Sequence, residues 1–187
     1  MRNNFYRHLV VSTVLLLLIV EISYAQRSKD DDYFGISARF AFPQQNMSNY
    51  NTGFGGLLMD ELVLSKTVSL AAEIGLWQFS AKDNIPTQTT GSFENTLRTI
   101  SLMGGVKYYF GDFYVMGVAG LLYSSFESKL LGESIFLNRA GLGLQPSVGL
   151  HYGILDVAAE YTFKISSDPL RSWIGLRVGV YLLDFHL

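Results

Sequence analysis

Over most of its length the chain alternates apolar and polar side chains with a period of two. Successive side chains of a β-strand point to opposite faces, so this alternation marks strands whose two faces meet different surroundings. In residues 67–79, Val68, Leu70, Ala72, Ile74 and Leu76 oppose Thr67, Ser69, Ala71, Glu73 and Gly75. In residues 154–165, Leu155, Val157, Ala159, Tyr161 and Phe163 alternate with Asp156, Ala158, Glu160, Thr162 and Lys164. In residues 171–185, Ile174, Leu176, Val178, Val180 and Leu182 oppose Gly175, Arg177 and Gly179 until Leu182-Leu183 breaks the pattern. The same reading gives strands at 33–42, 52–64, 95–110, 113–126 and 140–152, eight in all.

The connections decide how eight such strands are used. Three are tight: Ser65-Lys66, Gly111-Asp112 and the region of Gly153. Four are longer and more polar: 43–51, 80–94, 127–139 and 166–170. They alternate long and short without exception, as in outer-membrane barrels with short periplasmic turns and longer external loops. An even strand count leaves both chain ends on one side. Gly-Asp between Phe110 and Phe113 suits a two-residue hairpin, where glycine accepts the positive φ such turns require. The expected fold is therefore all-β, an eight-stranded antiparallel up-and-down transmembrane barrel over residues 33–187.

The N-terminus points to export. Arg2 and Arg7 precede an apolar run from Leu9 to Val20, and Ser23 and Ala25 place small residues at −3 and −1 of a cleavage site. That order reads as a signal peptide over 1–25, cut after Ala25, and the run is short for a membrane anchor. Residues 26–32 then form a short charged periplasmic lead-in. Removing 1–25 takes away Arg2, Arg7 and Glu21 and leaves twelve basic and fifteen acidic side chains, a net of −3. Such a balance gives no reason to expect a nucleic-acid partner. The chain has no cysteine, so disulfides cannot hold an exported domain of this size together. A closed ring of strands in lipid can.

The pattern resembles the small outer-membrane β-barrel domains of the OmpA and OmpX type, particularly the compact barrels of Bacteroidota. The resemblance is carried by the leader ending Tyr24-Ala25-Gln26, by glycine-rich strands such as Gly53-Phe54-Gly55-Gly56, and by the closing run Trp173 to Leu187. It implies a location in the outer membrane of a Gram-negative cell, with the lipid bilayer, lipopolysaccharide and the barrel-assembly machinery as partners. Terminal strands of the family end in an aromatic residue; here Phe185 stands two residues from the end.

The lumen of so small a barrel is filled by side chains. The inward charges expected from strand parity are Arg39, Glu73, Lys107, Asp156, Glu160, Lys164 and Arg177, with His151 nearby. Counting across 166–170 puts Glu160 opposite Arg177, and barrel closure brings Arg39 beside it. Away from bulk water these charges must pair, so they form a structural plug. Aromatic residues near strand ends form the expected interface belts. Trp77, Phe79, Tyr123, Phe126, Tyr161, Phe163 and Trp173 fall at the loop end, and Tyr108, Phe110, Phe113, Tyr114, Tyr152, Tyr181 and Phe185 at the turn end.

No chemistry is expected beyond the barrel itself. Barrels of this size that act on lipid A need a histidine held near a nucleophile. The mature chain keeps only His151 and His186, and His151 lacks a neighbouring His-x-Ser pattern. No Asp/His/Cys spacing reads as a metal site, and no glycine-rich stretch opens a helix that could cradle a phosphate, so no cofactor is expected. Function is left to the four longer connections as possible ligand contacts. The alternatives are a small passive channel, or a soluble exported lipocalin-like carrier. The charged faces of 67–79, 154–165 and 171–185 argue against the carrier, whose ligand cavity should be apolar.

Overall fold

A computed structural model describes residues 32–44, 47–82, 94–130, 133–165 and 171–185. The leader with its cleavage site after Ala25, most of the lead-in, the connections at 83–93 and 166–170, and His186 lie outside them. The strands are β1 (Asp32–Pro43), β2 (Gly53–Val63), β3 (Val68–Ser80), β4 (Glu94–Phe110), β5 (Phe113–Leu130), β6 (Glu133–Tyr152), β7 (Leu155–Ile165) and β8 (Arg171–Phe185). Each pairs antiparallel with its sequence neighbour, and β1 pairs with β8 to close the barrel.

The tight turns follow from local chemistry. Gly111 and Gly153 both take a positive φ, 71° and 59°, which a side chain would resist. Between β2 and β3, Ser65 Oγ accepts from the Val68 amide at 3.0 Å, and Leu64 N and Ser65 N each donate to Val68 O at 3.0 Å. A serine at that position satisfies backbone groups that the turn would otherwise leave open.

Register sets the barrel's geometry. Stepping across partners from Phe34 leads through Asp60, Ala72, Gly104, Ala119, Leu144, Phe163 and Ser172. Ser172 O then accepts from the amide of Gln44, just past the end of β1 and ten residues further along the chain than the start. That stagger over eight strands corresponds to a tilt of about 40°. The seam carries one irregularity. Gly35 faces Tyr181 while Phe34 faces Leu183, so Leu182 is an extra residue at the point where the alternation breaks.

The barrel is inside-out. Ile36, Phe40, Leu58, Leu70, Ile74, Leu102, Val115, Leu121, Val148, Val157, Leu176 and Val178 are exposed on its outer wall. The buried lumen holds the charged side chains instead. This apolar wall reaches from the turn end to Phe42 and Ile100.

One connection differs from expectation. The stretch 127–139 continues as strand: β5 runs to Leu130 and β6 begins at Glu133, with unbroken pairing between them. β3 stops at Ser80 opposite Thr96, and β7 stops at Ile165 opposite Leu142. A ribbon of β4, β5 and β6 therefore rises beyond the rim. Its charges, Glu127, Lys129, Glu133 and Arg139, and its unbroken Ile135-Phe136-Leu137 look like a loop in sequence. Both faces of a ribbon standing in one solvent meet the same surroundings, so nothing there enforces alternation. Backbone hydrogen bonding alone makes the strands.

Candidate functional site

The buried charges of the described residues number four cations and four anions: Arg39, Lys107, Lys164 and Arg177, with Glu61, Glu73, Asp156 and Glu160. Seven of them form one connected column along the barrel axis. Near mid-height, Arg39 Nη2 lies 3.0 Å from Glu73 Oε2 and 3.2 Å from Glu160 Oε2. Arg177 Nη1 lies 2.7 Å from Glu73 Oε1, and its Nε lies 3.2 Å from Asp156 Oδ2. Lys107 Nζ continues the column, 3.6 Å from Asp156 Oδ1 and 3.1 Å from Glu61 Oε2. Charge alternates at every step, as low-dielectric surroundings demand.

Neutral groups complete the network. At the turn end, Tyr109 Oη donates to Glu61 Oε1 at 2.6 Å, and Tyr181 Oη donates to Glu61 Oε2 at 2.7 Å. Tyr114 Oη donates to Asp156 Oδ1 at 2.7 Å while accepting from Arg177 Nη2 at 2.7 Å. The faces of Tyr109, Tyr114 and Tyr181 surround the Lys107 ammonium at 5.0, 3.9 and 5.3 Å from their ring centroids. Higher up, Gln145 Nε2 donates to Glu73 and Glu160 at 3.2 and 3.3 Å, and Thr162 Oγ1 donates to Gln145 Oε1 at 2.9 Å.

Glycines make room for these side chains. A Cβ at Gly75 would stand 2.8 Å from Arg39 Nη1 and 2.5 Å from Ser101 Oγ, and one at Gly175 would stand 2.7 Å from Glu160 Cγ. The inner wall is thinned where the largest charged groups cross the lumen.

The loop end is closed differently on its two sides. Over β1, β3 and β8, Trp77, Phe79 and Trp173 form a cluster, with Trp173 edge-on to Trp77 at 5.9 Å and to Phe79 at 5.4 Å. Met47, from a turn tied by its amide to Gln44 O, is buried against this cluster. The guanidinium of Arg39 lies 5.2 Å below the Trp77 ring. Over β5 to β7 the wall is polar: Lys164 Nζ donates to Ser124 Oγ at 3.1 Å and to Arg139 O at 2.8 Å, and Ser124 Oγ shares a hydrogen bond with Thr99 Oγ1.

All seven charges expected inside by strand parity are buried there. Their neighbours differ from simple counting: Glu160 stands opposite Gly175, and Arg177 opposite Ala158. Glu61 was missed. Asp60 and Glu61 are adjacent, one on each face of β2, and apolar side chains flank both, so the pattern there does not say which acid turns inward. Gln145 carried no signal against its apolar neighbours.

The aromatic belts need correction. Tyr108, Phe110, Phe113, Tyr123, Tyr152 and Tyr161 are exposed on the outer wall, and Phe163 is half-buried. Trp77, Phe79, Tyr114, Trp173 and Tyr181 point into the lumen instead. Strand parity explains it, since Trp77 and Phe79 share the face of Glu73, and Trp173 and Tyr181 the face of Arg177. Position near a strand end says nothing about direction. The side chain of Phe185 is outside the described residues. His151 sits half-buried at the turn end, 4.8 Å from the Tyr181 ring.

No protein-family model matches this sequence, and no curated protein is significantly similar to it. Several solved structures match its fold. Ail, the attachment invasion locus protein of Yersinia pestis, solved in complex with the heparin analogue sucrose octasulfate, superposes with a TM-score of 0.63 at 9% identity. The match covers 82% of this chain and 99% of that one. Neisserial surface protein A gives 0.53 at 17% identity, covering 81% and 97%. The N-terminal β-barrel domain of Pseudomonas aeruginosa OprF gives 0.52 at 14%, covering 83% and 100%. This chain has the fold of the small eight-stranded outer-membrane barrels. At these identities the fold is what is shared. Within this outer-membrane-barrel fold, the column from Arg39 to Glu61 and the ribbon of β4 to β6 are features of this chain's own residues.

Proposed function

We propose that the chain is an integral protein of a bacterial outer membrane, exported by its leader, with a lumen closed by its own side chains and no catalytic chemistry. The observation that carries this reading is the inside-out distribution of side chains. An outer wall of Phe40, Leu58, Ile74, Leu102, Val148 and Val178 belongs in lipid, and a lumen of paired charges cannot hold an apolar ligand. Both chain ends then lie in the periplasm, and lipid, lipopolysaccharide and the assembly machinery are its constant partners. Membrane fractionation with heat-modifiable gel mobility tests it. The expected result is a carbonate-resistant protein whose unboiled form migrates faster; an extractable protein without that compact form would overturn the reading.

Its contact with the outside is made by the ribbon. Residues 133–141 of β6 pair with β5 alone among the described residues, leaving a strand edge open. Ile135, Phe136 and Leu137 on it are more than half exposed. An open edge with apolar side chains can take up an extended segment of another protein as an added strand. The expected partner is thus a protein met at the cell surface. Shortening the ribbon by removing 128–135 should abolish binding of cells to protein-coated surfaces while leaving gel mobility unchanged; unchanged binding would remove the ribbon from the function.

A further inference from the structure

Among the described residues, seven of the eight buried charges lie within 4.0 Å of an opposite charge, and Lys164 is the exception. Lys164 is 3% exposed, and among the described residues its ammonium has a hydroxyl and a backbone carbonyl for partners. None of the described carboxylates reaches it, and a buried ammonium favours an anion beside it.

Its surroundings add positive charge. Lys164 stands directly opposite Arg171 across β7 and β8. On the other side is β6, where a Cβ at Gly141 would stand 2.8 Å from Lys164 Cε and Arg139 follows two residues beyond. Both guanidinium charges act on the ammonium. By strand parity Arg139, Lys164 and Arg171 share the inner face at the loop end, on three successive strands. Arg139 is exposed and Arg171 half-buried, so the arc opens toward solvent. The carboxylate of Glu127 lies on the opposite face of the ribbon, 3.9 Å from Arg98. Tyr50, on the β1–β2 connection, also meets the charge of Arg171. Burial raises its pKa above the ordinary tyrosine value, so it remains a neutral hydroxyl.

We propose that Arg139, Lys164 and Arg171 form an oxyanion site at the mouth of the barrel, taking the phosphate or sulfate ester of a ligand that arrives from outside. An ester of this kind presents three free oxygens, enough to meet one cation from each strand with the Ser124 hydroxyl close by, whereas a carboxylate has two. The inference rests on the outer-membrane reading only for which side the mouth faces.

Two sources carry this chemistry: the phosphates of a lipid headgroup in the surrounding leaflet, and a sulfated glycan in solution. The test uses the mature full-length barrel in phosphocholine nanodiscs. One arm titrates a fluorescent heparin-derived hexasaccharide. The other adds lipid A to the discs, with or without its phosphates, and follows the temperature at which the compact form is lost. Wild type should respond in at least one arm, and that arm names the source. Lys164→Gln and the double variant Arg139→Gln/Arg171→Gln should weaken the response at least tenfold, and Arg98→Gln should leave it unchanged. Without ligand, Lys164→Gln should melt no lower than wild type, because it removes a buried charge that no described carboxylate pairs. Silence in both arms, equal responses from wild type and variants, or a lower ligand-free melt with unchanged binding would overturn the site. A barrel that never forms the compact unboiled band would instead fail the outer-membrane reading.

Discussion

Arg39 and Arg177 are direct partners across the β1–β8 seam, and one carboxylate, Glu73 of β3, accepts from both. Two like charges facing each other across a strand pair repel. Here the repulsion falls where the two ends of the sheet must meet. Glu73 cancels it with one oxygen for each guanidinium, at 3.0 and 2.7 Å, reaching across the lumen from outside the seam.

Glu73→Gln should therefore cost about 3–5 kcal/mol of stability, the usual penalty for leaving a buried charge without its partner. Glu160→Gln should cost less, since its Oε1 makes no hydrogen bond and Arg39 keeps Glu73. Urea unfolding in lipid vesicles, followed by loss of the fast-migrating band, measures both. Equal losses would mean that the seam does not depend on the shared carboxylate.

Gly75→Ala should destabilise by roughly 1–3 kcal/mol, because the new methyl meets Arg39 Nη1 and Ser101 Oγ inside van der Waals distance. Gly117 has nothing within 4 Å of an added Cβ, so Gly117→Ala should change stability by no more than about 0.5 kcal/mol. The same unfolding assay compares the two.

The direction of the tryptophans can be read by fluorescence. Trp77 and Trp173, buried within the lumen, should be quenched only weakly by brominated acyl chains and by aqueous iodide. Strong quenching from the lipid phase would place them in an interface belt after all.

With Arg39, Glu73, Arg177, Lys107 and three tyrosines buried across the lumen, the expected behaviour is that of a closed barrel. Planar-bilayer recordings of wild type should show no stable conductance. The double variant Tyr114→Ala/Lys107→Ala removes most of the turn-end plug, and infrequent openings are expected from it. A reproducible conductance from wild type would refute the closed lumen.

Lipid exposure of the outer wall has its own test. Leu102, exposed near mid-height of β4, should tolerate Leu102→Phe. Leu102→Arg should cost about 2–4 kcal/mol, the range for a cation on the lipid face near the bilayer centre. A soluble barrel would accept the arginine without loss.

Much of this was legible in the chain alone. Alternation in β3, β7 and β8 determined which face carries Glu73, Asp156, Glu160, Lys164 and Arg177, because a two-residue period admits one answer wherever the two faces differ chemically. Glycine at 111 and 153 marked two of the tight turns, and Leu182-Leu183 marked the irregularity in the seam. The inward turn of Trp77 and Trp173 was legible too, by the same parity, once proximity to a strand end is set aside.

The tertiary structure alone decided the rest. Where both faces of β2 are apolar, only closure of the barrel shows that Glu61 and not Asp60 enters the lumen. Where β5 and β6 rise beyond the rim, the two faces share one solvent and the strand signal disappears. The charge partners are likewise set by closure. Arg39 meets Glu73 across 34 residues, and Glu73 meets Arg177 across 104. Those distances depend on the ten-residue stagger accumulated around eight strands. Local sequence can say that a charge points inward, but the charge it meets is fixed by where the ring closes.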